Sequence, residues 1–473
     1  MVGGRLLGDA GRGRILRVTT HSAQVERGDL FVALDGRTSR GCEHYREAID
    51  RGAAAILIQE GDPLPLGFSV IISKNKRING AEITNAMLGD PLARLRFVGI
   101  TGTKGKTSTL AMIGAQMLAV GENPLCVGTL GLGFWGEMQP LLNTTPDLYF
   151  LLPYFSHYLR RGVRTVLAEV SSQALADGRL DGVRIPMGVF TGFSADHIGP
   201  REHASLCEYY AAKRRLFGDF GVEISVAPME SEHACDITRG VPKRLFSSLR
   251  VPSDLTLNML DTSPWSSHFS YREKRYRLSL GGRCQLLNAS LSTLASSELL
   301  GLPPESLLGA LSHVRIPGRM ECYRLYDALF IIDYAHNGES LRAVCEAARP
   351  FCRGRMIVLL GSVGGRAECR RRDLVRGAEA LCDLVVLTED DSDTEDREQV
   401  LTDLFSYAVD KDRFCIIPDR REAVESVCRM ARAGDTVLLL GKGHEQFLVR
   451  GGARIPFREC EILISYGAEP ISV

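Results

Sequence analysis

Short apolar runs alternate with amphipathic stretches near the start of the chain. Apolar runs at 29–34 and 53–59 predict strands, and the polar segment between them predicts a loop and then a helix at 43–51. Helical spacing continues over 75–88, and Gly89-Asp90-Pro91 breaks it. The pattern therefore predicts a small α/β domain over residues 1–91.

The next region alternates apolar strands with helices, which is typical of a parallel sheet. Predicted strands lie at 95–101, 163–170 and 187–193, and predicted helices at 107–120, 205–217, 286–300 and 304–311. Over 255–280 apolar and polar residues alternate, which predicts an antiparallel hairpin at the edge of the sheet. We expect this second domain to cover residues 92–318.

The βα rhythm then repeats, with predicted strands at 329–333, 355–360, 384–387 and 436–440. This pattern predicts a Rossmann-like third domain over residues 319–473. Residues 361–365 read GSVGG and lack the GxGxxG spacing, so a nicotinamide cofactor is disfavoured. The fold class is α/β in three domains, with a mostly parallel central sheet.

Composition narrows the function without identifying it. The 473 residues contain 57 Lys and Arg against 57 Asp and Glu, so no overall charge favours a nucleic acid or a membrane as partner. The 13 cysteines form no CxxC pair or zinc-type cluster, which favours free thiols in a reducing compartment. With no signal-peptide pattern and no long apolar run, we expect a cytoplasmic protein.

Residues 98–109, VGITGTKGKTST, carry the strongest chemical signal. Gly102 and Gly105 allow backbone N–H groups to face an anion, Lys106 adds a positive charge, and Thr107 offers a hydroxyl to Mg²⁺ at a helix N-terminus. Ile100 stands where a full Walker A motif has its first glycine, so this is the shorter GTxGKT form. An ordinary glycine-rich turn would not explain the adjacent Lys106 and Thr107. We therefore predict a nucleoside-triphosphate site.

Further candidates follow other predicted strands. Glu169 and His197 lie at strand ends that should face the same crevice, where Thr107, Glu169 and His197 could bind magnesium. The alternative for His197 is a structural histidine. Asp333 could serve the site or cap the following helix, and residues 441–445, GKGHE, could be a binding loop or only a tight turn.

Eight motifs in order resemble the Mur ligase family, most closely its members of MurE type. They are ERGDLFVAL near the start, TGTKGKTST, NTTPD at 143–147, EVSSQAL at 169–175, DHIGP with EYYAAKRRLF, IPGRME at 316–321, IDYAHN, and GKGHE. The resemblance implies the three-domain Mur ligase architecture and an ATP-dependent peptide synthase of peptidoglycan biosynthesis. ATP would phosphorylate a substrate carboxylate, and an amino acid would attack the acyl phosphate to give an amide.

The resemblance also assigns roles to residues around ATP. Catalytic roles fall on Lys106, Lys213 and His197, and magnesium ligands on Thr107, Glu169, His197 and a carbamylated Lys213. Carbamylation would turn the Lys213 cation into an anion that helps to hold magnesium. The implied ATP-binding residues are Gly102, Thr103, Lys104, Gly105, Lys106, Thr107, Ser108, Asn288, Arg319 and Asp333. Lys104 replaces the family's commoner asparagine and adds a positive charge.

For the nucleotide-sugar dipeptide, UDP-MurNAc-L-Ala-D-Glu in the family, matching positions occur in two regions. They are Thr20, Ser22, Asn143, Thr144, Thr145, Ser171 and Arg179. Arg179 suits a carboxylate or a pyrophosphate because its guanidinium donates two parallel hydrogen bonds. His21 and Ala23 stand where the family has an acid and an arginine, so the uridine contacts differ.

The incoming amino acid is implied to meet Asp390, Asp391, Asp393, Gly441 and Glu445. Members that add meso-diaminopimelate carry Asp-Asn-Pro-Arg where this chain has Asp390-Asp391-Ser392-Asp393. An aspartate in place of that arginine repels a carboxylate and attracts an ammonium, and Glu395 and Asp396 add to the acidic run. We therefore expect L-lysine or another basic amino acid. The alternative is that the run is merely a solvated loop.

Other interpretations remain open from sequence. A meso-diaminopimelate-adding enzyme and a folylpolyglutamate synthase share the chemistry, and a non-catalytic nucleotide-binding scaffold could keep the phosphate loop. The partners expected are small molecules only, namely ATP, the UDP-MurNAc-dipeptide and an amino acid, with no nucleic acid and no membrane. We expect a monomer.

Overall fold

A computed structural model of the protein describes residues 4–7, 15–36, 39–195, 198–199, 202–364, 368–392, 395–451 and 453–471. Three large sheets follow one another along these residues. The first has five strands, all parallel except the edge strand nearest the N-terminus. In spatial order they are Gly4–Leu7, Val70–Ser73, Ala55–Gln59, Asp29–Val32 and Arg17–Thr19.

The helices beside the first sheet lie close to their predicted positions. Lys76–Met87 begins where the side chain of Asn75 accepts hydrogen bonds from the first-turn N–H groups. Asp90, with φ 57°, then separates it from the short helix Pro91–Arg94. The segment predicted at 43–51 is a 3₁₀ turn, Gly41–His44, followed by the helix Tyr45–Asp50.

The second sheet has nine strands and positions the phosphate loop. In spatial order they are Leu255–Thr256, Lys243–Ser248, Ile224–Pro228, Met187–Phe190, Arg96–Thr101, Thr165–Glu169, Leu125–Gly128, Gly131–Phe134 and Glu137–Gln139. Arg96–Thr101 lies in the middle, and its two neighbours run parallel to it. The carboxyl ends of these three strands therefore meet at one edge.

Several elements of this region escaped prediction. The helices of this region are Lys106–Ala119, Leu148–Arg160, Ser172–Ala176, Leu206–Asp219, Ala234–Ile237, Arg283–Leu300 and Glu305–Leu308, with a 3₁₀ segment at Gly309–His313. Among them, Leu148–Arg160, Ser172–Ala176 and Ala234–Ile237 were not predicted. Leu148–Arg160 contains Pro153, and a proline inside a segment argues against a helix in sequence-based prediction. The strands Gly131–Phe134 and Glu137–Gln139 are short and rich in polar residues or glycine, so their apolar pattern is weak.

The predicted edge hairpin is antiparallel, but its expected position was wrong. Asn258–Thr262, Ser267–Tyr271 and Lys274–Leu278 form a separate three-stranded sheet, and the edge strand of the large sheet is the parallel Leu255–Thr256. Phe269 and Leu278 share a buried cluster with Leu286 of the helix Arg283–Leu300. Burial of this apolar face against the core explains why the hairpin does not extend the sheet.

The third sheet has seven strands, and all four predicted strands are confirmed within it. Its order is Phe414–Ile416, Leu384–Leu387, Met356–Leu360, Thr436–Leu440, Ala328–Asp333, Glu321–Leu325 and Glu469–Pro470, with the last two antiparallel to their neighbours. The helices are Gly338–Ala348, Glu368–Leu381, Arg397–Ser406, Arg420–Met430 and Glu459–Ser465, with 3₁₀ turns at Arg349–Phe351 and Lys411–Arg413. A ribbon of Phe447–Arg450 and Ala453–Pro456 follows the last parallel strand.

The hydrophobic clusters join the three sheet regions unequally. Apolar residues of the first sheet, including Leu30 and Leu57, share one buried cluster with Leu152 and Phe155 of the helix Leu148–Arg160. The buried members of the two clusters around the third sheet all come from residues 320–468, and Trp265 packs against one of them from the middle region. Apolar burial therefore ties the first two regions together more firmly than it ties the third. Among the described helices, none has the length and apolarity that spanning a membrane requires.

Candidate active site

The loop after Arg96–Thr101 has the backbone shape that its glycines predicted. Gly102 and Gly105 have φ angles of 150° and 86°, and Gly105 precedes the helix Lys106–Ala119. A Cβ atom on Gly102 would overlap the hydroxyl of Thr191, and one on Gly105 would overlap the Oδ1 atom of Asn288. Glycine is therefore required by both conformation and space.

The other residues predicted to bind ATP lie around this loop. Thr103 in the loop and Thr107 and Ser108 in the first turn of the helix are buried, and the free N–H groups of a helix start can bind an anion. Asn288, from the helix Arg283–Leu300, reaches the loop from the opposite side. The Nζ atom of Lys106 folds back to the carbonyl oxygens of Gly102 and Thr103, at 2.9 and 3.1 Å.

Glu169 is the centre of the hydrogen bonds at this edge of the sheet. Its carboxylate is buried and accepts from the Thr107 hydroxyl at 3.1 Å and from the N–H and hydroxyl of Thr129, each at 2.9 Å. A Cβ on Gly128 would overlap this carboxylate, so a glycine is needed there too. Sequence reasoning missed Gly128 and Thr129, because only the pairing of strands brings them to Glu169.

The oxygen donors in this pocket suit magnesium. Thr107 supplies a hydroxyl and Glu169 a carboxylate, which are ligand types that Mg²⁺ accepts beside phosphate oxygens. His197, the third predicted ligand, lies outside the described residues. Nearby, the imidazole of His203 is buried, and its Nε2 lies 3.0 Å from the hydroxyl of Ser172.

Lys213 reaches the same pocket from the helix Leu206–Asp219. Its side chain is buried, its Nζ donates to the carbonyl oxygen of Gly102 at 2.8 Å, and it lies 4.3 Å from the ring centroid of Tyr209. The lysine is thus held at the turn of the phosphate loop. This places Lys106, Lys213, Thr107 and Glu169 around one short stretch of chain.

A salt bridge connects the phosphate loop to the third sheet region. Lys104 Nζ lies 2.7 Å from Glu339 Oε2, at the start of the helix Gly338–Ala348. The positive charge that Lys104 adds is therefore balanced within the protein. Both side chains are partly exposed, so the pair is weak and can exchange with a ligand.

Arg319 and Asp333 lie together where the middle region joins the third sheet. The Arg319 guanidinium stacks 4.7 Å from the ring centroid of Tyr334. The Asp333 carboxylate accepts from the N–H groups of Met320 and Ala335, each at 2.9 Å, and burial raises its pKa against the influence of Arg319. The alternative that Asp333 caps the next helix was wrong, because Asn337 caps it.

The residues predicted for the dipeptide fall into two groups. Thr144, Thr145, Ser171 and Arg179 form a network beside Glu169, in which the Thr145 hydroxyl donates to the Glu169 carbonyl at 2.8 Å and Arg179 donates to the Thr145 carbonyl at 3.1 Å. Asn143 is exposed next to them. Thr20 and Ser22 lie in the first sheet region, at the start of the 3₁₀ turn Ser22–Gln24.

The predicted amino-acid end contains a buried cation that sequence reasoning missed. Oxygen atoms of Asp390, Asp391 and Glu445 gather within 4.8 Å of one another, and Lys442 Nζ lies 2.8 Å from Asp391 and 2.5 Å from Glu445. Burial opposes the charge of Lys442, but these carboxylates outweigh it and raise its pKa above the ordinary value. For Glu445, burial raises the pKa above the ordinary value, although the positive charge of Lys442 acts to lower it.

Two acidic residues of the predicted run serve the fold instead. Glu395 pairs with the buried Arg371 at 2.6 Å, and Asp396 caps the helix Arg397–Ser406. These two residues therefore add less free negative charge to the loop than their sequence position suggests. Asp393 lies outside the described residues.

A second buried ion pair supports the loops of this end. Arg420 and Glu459 are almost fully buried and lie 2.6 Å apart. Arg420 also donates to the backbone carbonyls of Glu389 and Leu440, which precede Asp390 and Gly441. The guanidinium thus fixes both loops at the carboxyl edge of the third sheet.

His444 connects the amino-acid end with the phosphate end. Its ring centroid lies 4.9 Å from that of Tyr334, and its imidazole faces the backbone of Thr129, the residue that also contacts Glu169. Burial, with help from Arg319 and Lys442, lowers the pKa of His444 to about 3, so the ring is neutral. Its Nδ1 atom is buried and has no hydrogen-bond partner among the residues that the structure describes.

These features define a protein with a phosphate-binding type of loop at one α/β sheet and a charged cluster at the edge of the next. Two models of one family match the chain. The Mur ligase middle domain matches residues 100–296, and the Mur ligase, glutamate ligase domain matches residues 318–443. The chain belongs to the Mur ligase family, and it is an ATP-dependent ligase that joins an acid to an amino acid.

Individual relatives agree with this assignment. The UDP-N-acetylmuramoyl-L-alanyl-D-glutamate–2,6-diaminopimelate ligase of Pseudomonas aeruginosa is 31% identical, and the match covers 94% of each chain. A solved structure of an enzyme with the same name has a TM-score of 0.66 at 28% identity and covers 95% of this chain and 94% of its own. The folylpolyglutamate synthase of Mycobacterium tuberculosis, complexed with ADP, is 17% identical with a TM-score of 0.62 and covers 76% of this chain and 91% of its own, a likeness of fold.

Proposed function

We propose that this ligase uses ATP to join an amino acid to the D-Glu carboxylate of UDP-MurNAc-L-Ala-D-Glu, releasing ADP and phosphate. The observation that carries the proposal is the closeness of two ends: Thr107 and Thr129 donate hydrogen bonds to Glu169 at the phosphate end, while His444, which faces the Thr129 backbone, packs against Tyr334, whose hydroxyl donates to Glu445. In the proposed reaction a carboxylate phosphorylated at the first end would be attacked by an amine bound at the second. The name of the Pseudomonas relative supplies the dipeptide substrate.

The proposed division of labour follows the geometry. The phosphate loop, with Asn288, Arg319 and Asp333, holds ATP, while Thr144, Thr145, Ser171 and Arg179 hold the dipeptide beside Glu169. Thr107, Glu169, His197 and a carbamylated Lys213 would hold magnesium. When bound there, magnesium would neutralise charge on the phosphates.

We also propose domains at 1–91, 92–318 and 319–473, each built on one of the large sheets. The polar junction of the third domain suits closure onto bound ATP, because few apolar contacts must break when it moves. We propose that the enzyme acts as a monomer in the cytoplasm, where ATP is available.

For the amino acid, we propose a side chain that carries an ammonium group, such as that of L-lysine. Asp390, Asp391 and Glu445 surround one cation, Lys442, so this end has an excess of negative charge. Arg420 is already balanced by Glu459, and Arg450 by Glu389 and Asp419. Lys442, Arg420 and Arg450 are thus each engaged with acids, which disfavours a second substrate carboxylate at these three cations.

The second candidate is 2,6-diaminopimelate, which the name of the Pseudomonas relative favours. This amino acid carries both a distal ammonium and a distal carboxylate. It differs from lysine only in that carboxylate, so the pair of amino acids is a matched probe of the loop around Asp393.

Phosphate release tests both candidates. The purified protein would be mixed with ATP, Mg²⁺ and UDP-MurNAc-L-Ala-D-Glu, and L-lysine, meso-diaminopimelate and glutamate would be compared. We expect the largest kcat/KM with lysine. A preference for diaminopimelate would overturn the lysine proposal, and no turnover with any diamino acid would overturn the cell-wall function. Turnover only with tetrahydrofolate and glutamate would indicate a folylpolyglutamate synthase, and ATP binding without ligation a scaffold.

The loop itself can be tested with Asp393→Arg, which reverses the charge at the position that carries arginine in diaminopimelate-adding members. We expect kcat/KM to fall for lysine and to rise for diaminopimelate. The matched control is Asp412→Arg, because Asp412 is exposed on the 3₁₀ turn Lys411–Arg413. Unchanged lysine kinetics in Asp393→Arg would show that this residue does not select the substrate.

A further inference from the structure

His444 occupies the point where the two halves of the proposed reaction meet. On one side its imidazole faces the backbone of Thr129, whose N–H and hydroxyl donate to Glu169. On the other side it packs against Tyr334, whose hydroxyl donates to Glu445 at 3.2 Å. The residue therefore contacts both the phosphate end and the amino-acid end.

One ring nitrogen of His444 is left for a ligand. Among the described residues the buried Nδ1 atom has no hydrogen-bond partner, and we assign the contact with the Thr129 backbone to Nε2. When Nε2 of a neutral imidazole carries the proton, Nδ1 is an acceptor. A buried acceptor without a donor costs free energy, and a bound ligand that donates would recover it.

The incoming amino acid brings the missing donor. Its ammonium must lose a proton, and the amine then attacks the acyl carbon of the acyl phosphate. The C–N bond forms, the bond from the acyl carbon to the phosphate oxygen breaks, and HPO₄²⁻ and one proton leave. Glu445 follows His444 in the chain and is proposed to bind the amino acid. The amine of that bound amino acid would therefore lie close to the imidazole of His444.

We propose that Nδ1 of His444 accepts a hydrogen bond from the attacking amine and orients it toward the acyl phosphate. The inference rests on the proposed function and adds to it a substrate-contacting residue on the GKGHE loop. The competing explanation is that His444 only fastens the third region to the middle one. Gly318 supports that possibility, because a Cβ on it would overlap the backbone N of His444.

Two substitutions distinguish the roles of the two ring nitrogens of His444. His444→Asn places an amide oxygen near the Nδ1 position, and His444→Gln places its amide near Nε2 and Thr129. We expect His444→Gln to lower kcat/KM for the amino acid about 10- to 100-fold, because the buried amine would keep a donor without an acceptor. We expect His444→Asn to retain most of that activity, with ATP affinity and thermal unfolding unchanged in both.

Hydroxylamine supplies a readout that a structural role would not move. This small nucleophile traps the acyl phosphate as a hydroxamate and does not need the amino-acid site to orient it. We expect His444→Gln to form hydroxamate at nearly the wild-type rate while losing ligation. Equal losses of hydroxamate formation and of ligation in His444→Gln would overturn the proposal. A kcat/KM for the amino acid in His444→Asn that is no higher than in His444→Gln would also overturn it. If the wild type forms neither hydroxamate nor amide, the proposed function itself fails and the role of His444 fails with it.

Discussion

Removal of the Arg420 side chain should destabilise the protein strongly. Arg420 and Glu459 are 0% and 1% exposed, and the guanidinium donates to Glu459 at 2.6 and 3.0 Å and to the carbonyl of Leu440 at 2.7 Å. Arg420→Met would leave a buried carboxylate without its counter-ion. Breaking one partner of a buried pair costs about 3–5 kcal/mol. We expect the free energy of unfolding of the third domain to fall by that amount.

The penalty should depend on pH in a defined direction. Burial already raises the pKa of Glu459 above its ordinary value of 4.5, and loss of Arg420 raises it further. A carboxyl whose pKa is higher in the folded state binds protons more tightly there, so stability is lost as the pH rises between the unfolded and folded pKa values. Arg420→Met should therefore lose less stability at pH 5 than at pH 8.

Urea unfolding followed by Trp265 fluorescence would measure this loss. Trp265 packs 5.3 Å from Phe351 and against the third region's core, and Trp135→Phe removes the other tryptophan signal. The matched control is Arg420→Met with Glu459→Leu, which removes both charges and should recover most of the stability. A loss below about 1 kcal/mol, no dependence on pH, or a double variant no more stable than the single one would refute this reasoning.

Two further predictions concern the phosphate end. Gly105→Ala should weaken ATP binding measured by calorimetry, because the φ of 86° disfavours alanine and the added Cβ would displace the Asn288 side chain from the loop. Gly121→Ala, with φ 83° and open space around it, should cost about 1–2 kcal/mol of stability and leave ATP affinity unchanged. Glu169→Gln should lower magnesium-dependent ADP formation by more than about 100-fold, while circular dichroism stays unchanged. A wild-type rate of ADP formation in Glu169→Gln would show that Glu169 is not a magnesium ligand.

The sequence alone determined the features that depend on neighbours along the chain. The phosphate loop is contiguous, so its glycines, Lys106 and Thr107 were recognisable and lie as predicted. Strong apolar runs gave the central strands, whose parallel pairing then placed Glu169 beside the loop. The family resemblance suggested binding and catalytic roles for individual residues. The contacts that those residues make are visible only in the folded structure.

Only the tertiary structure decided how charges are distributed at the amino-acid end. Lys442 lies 51 positions from Asp391 and yet balances it, while Glu395 and Asp396 turn to other partners. His444 meets Thr129 across more than 300 positions. Whether a charged or polar group is free for a ligand depends on the partner that burial gives it, and that partner is set by the packing of distant elements.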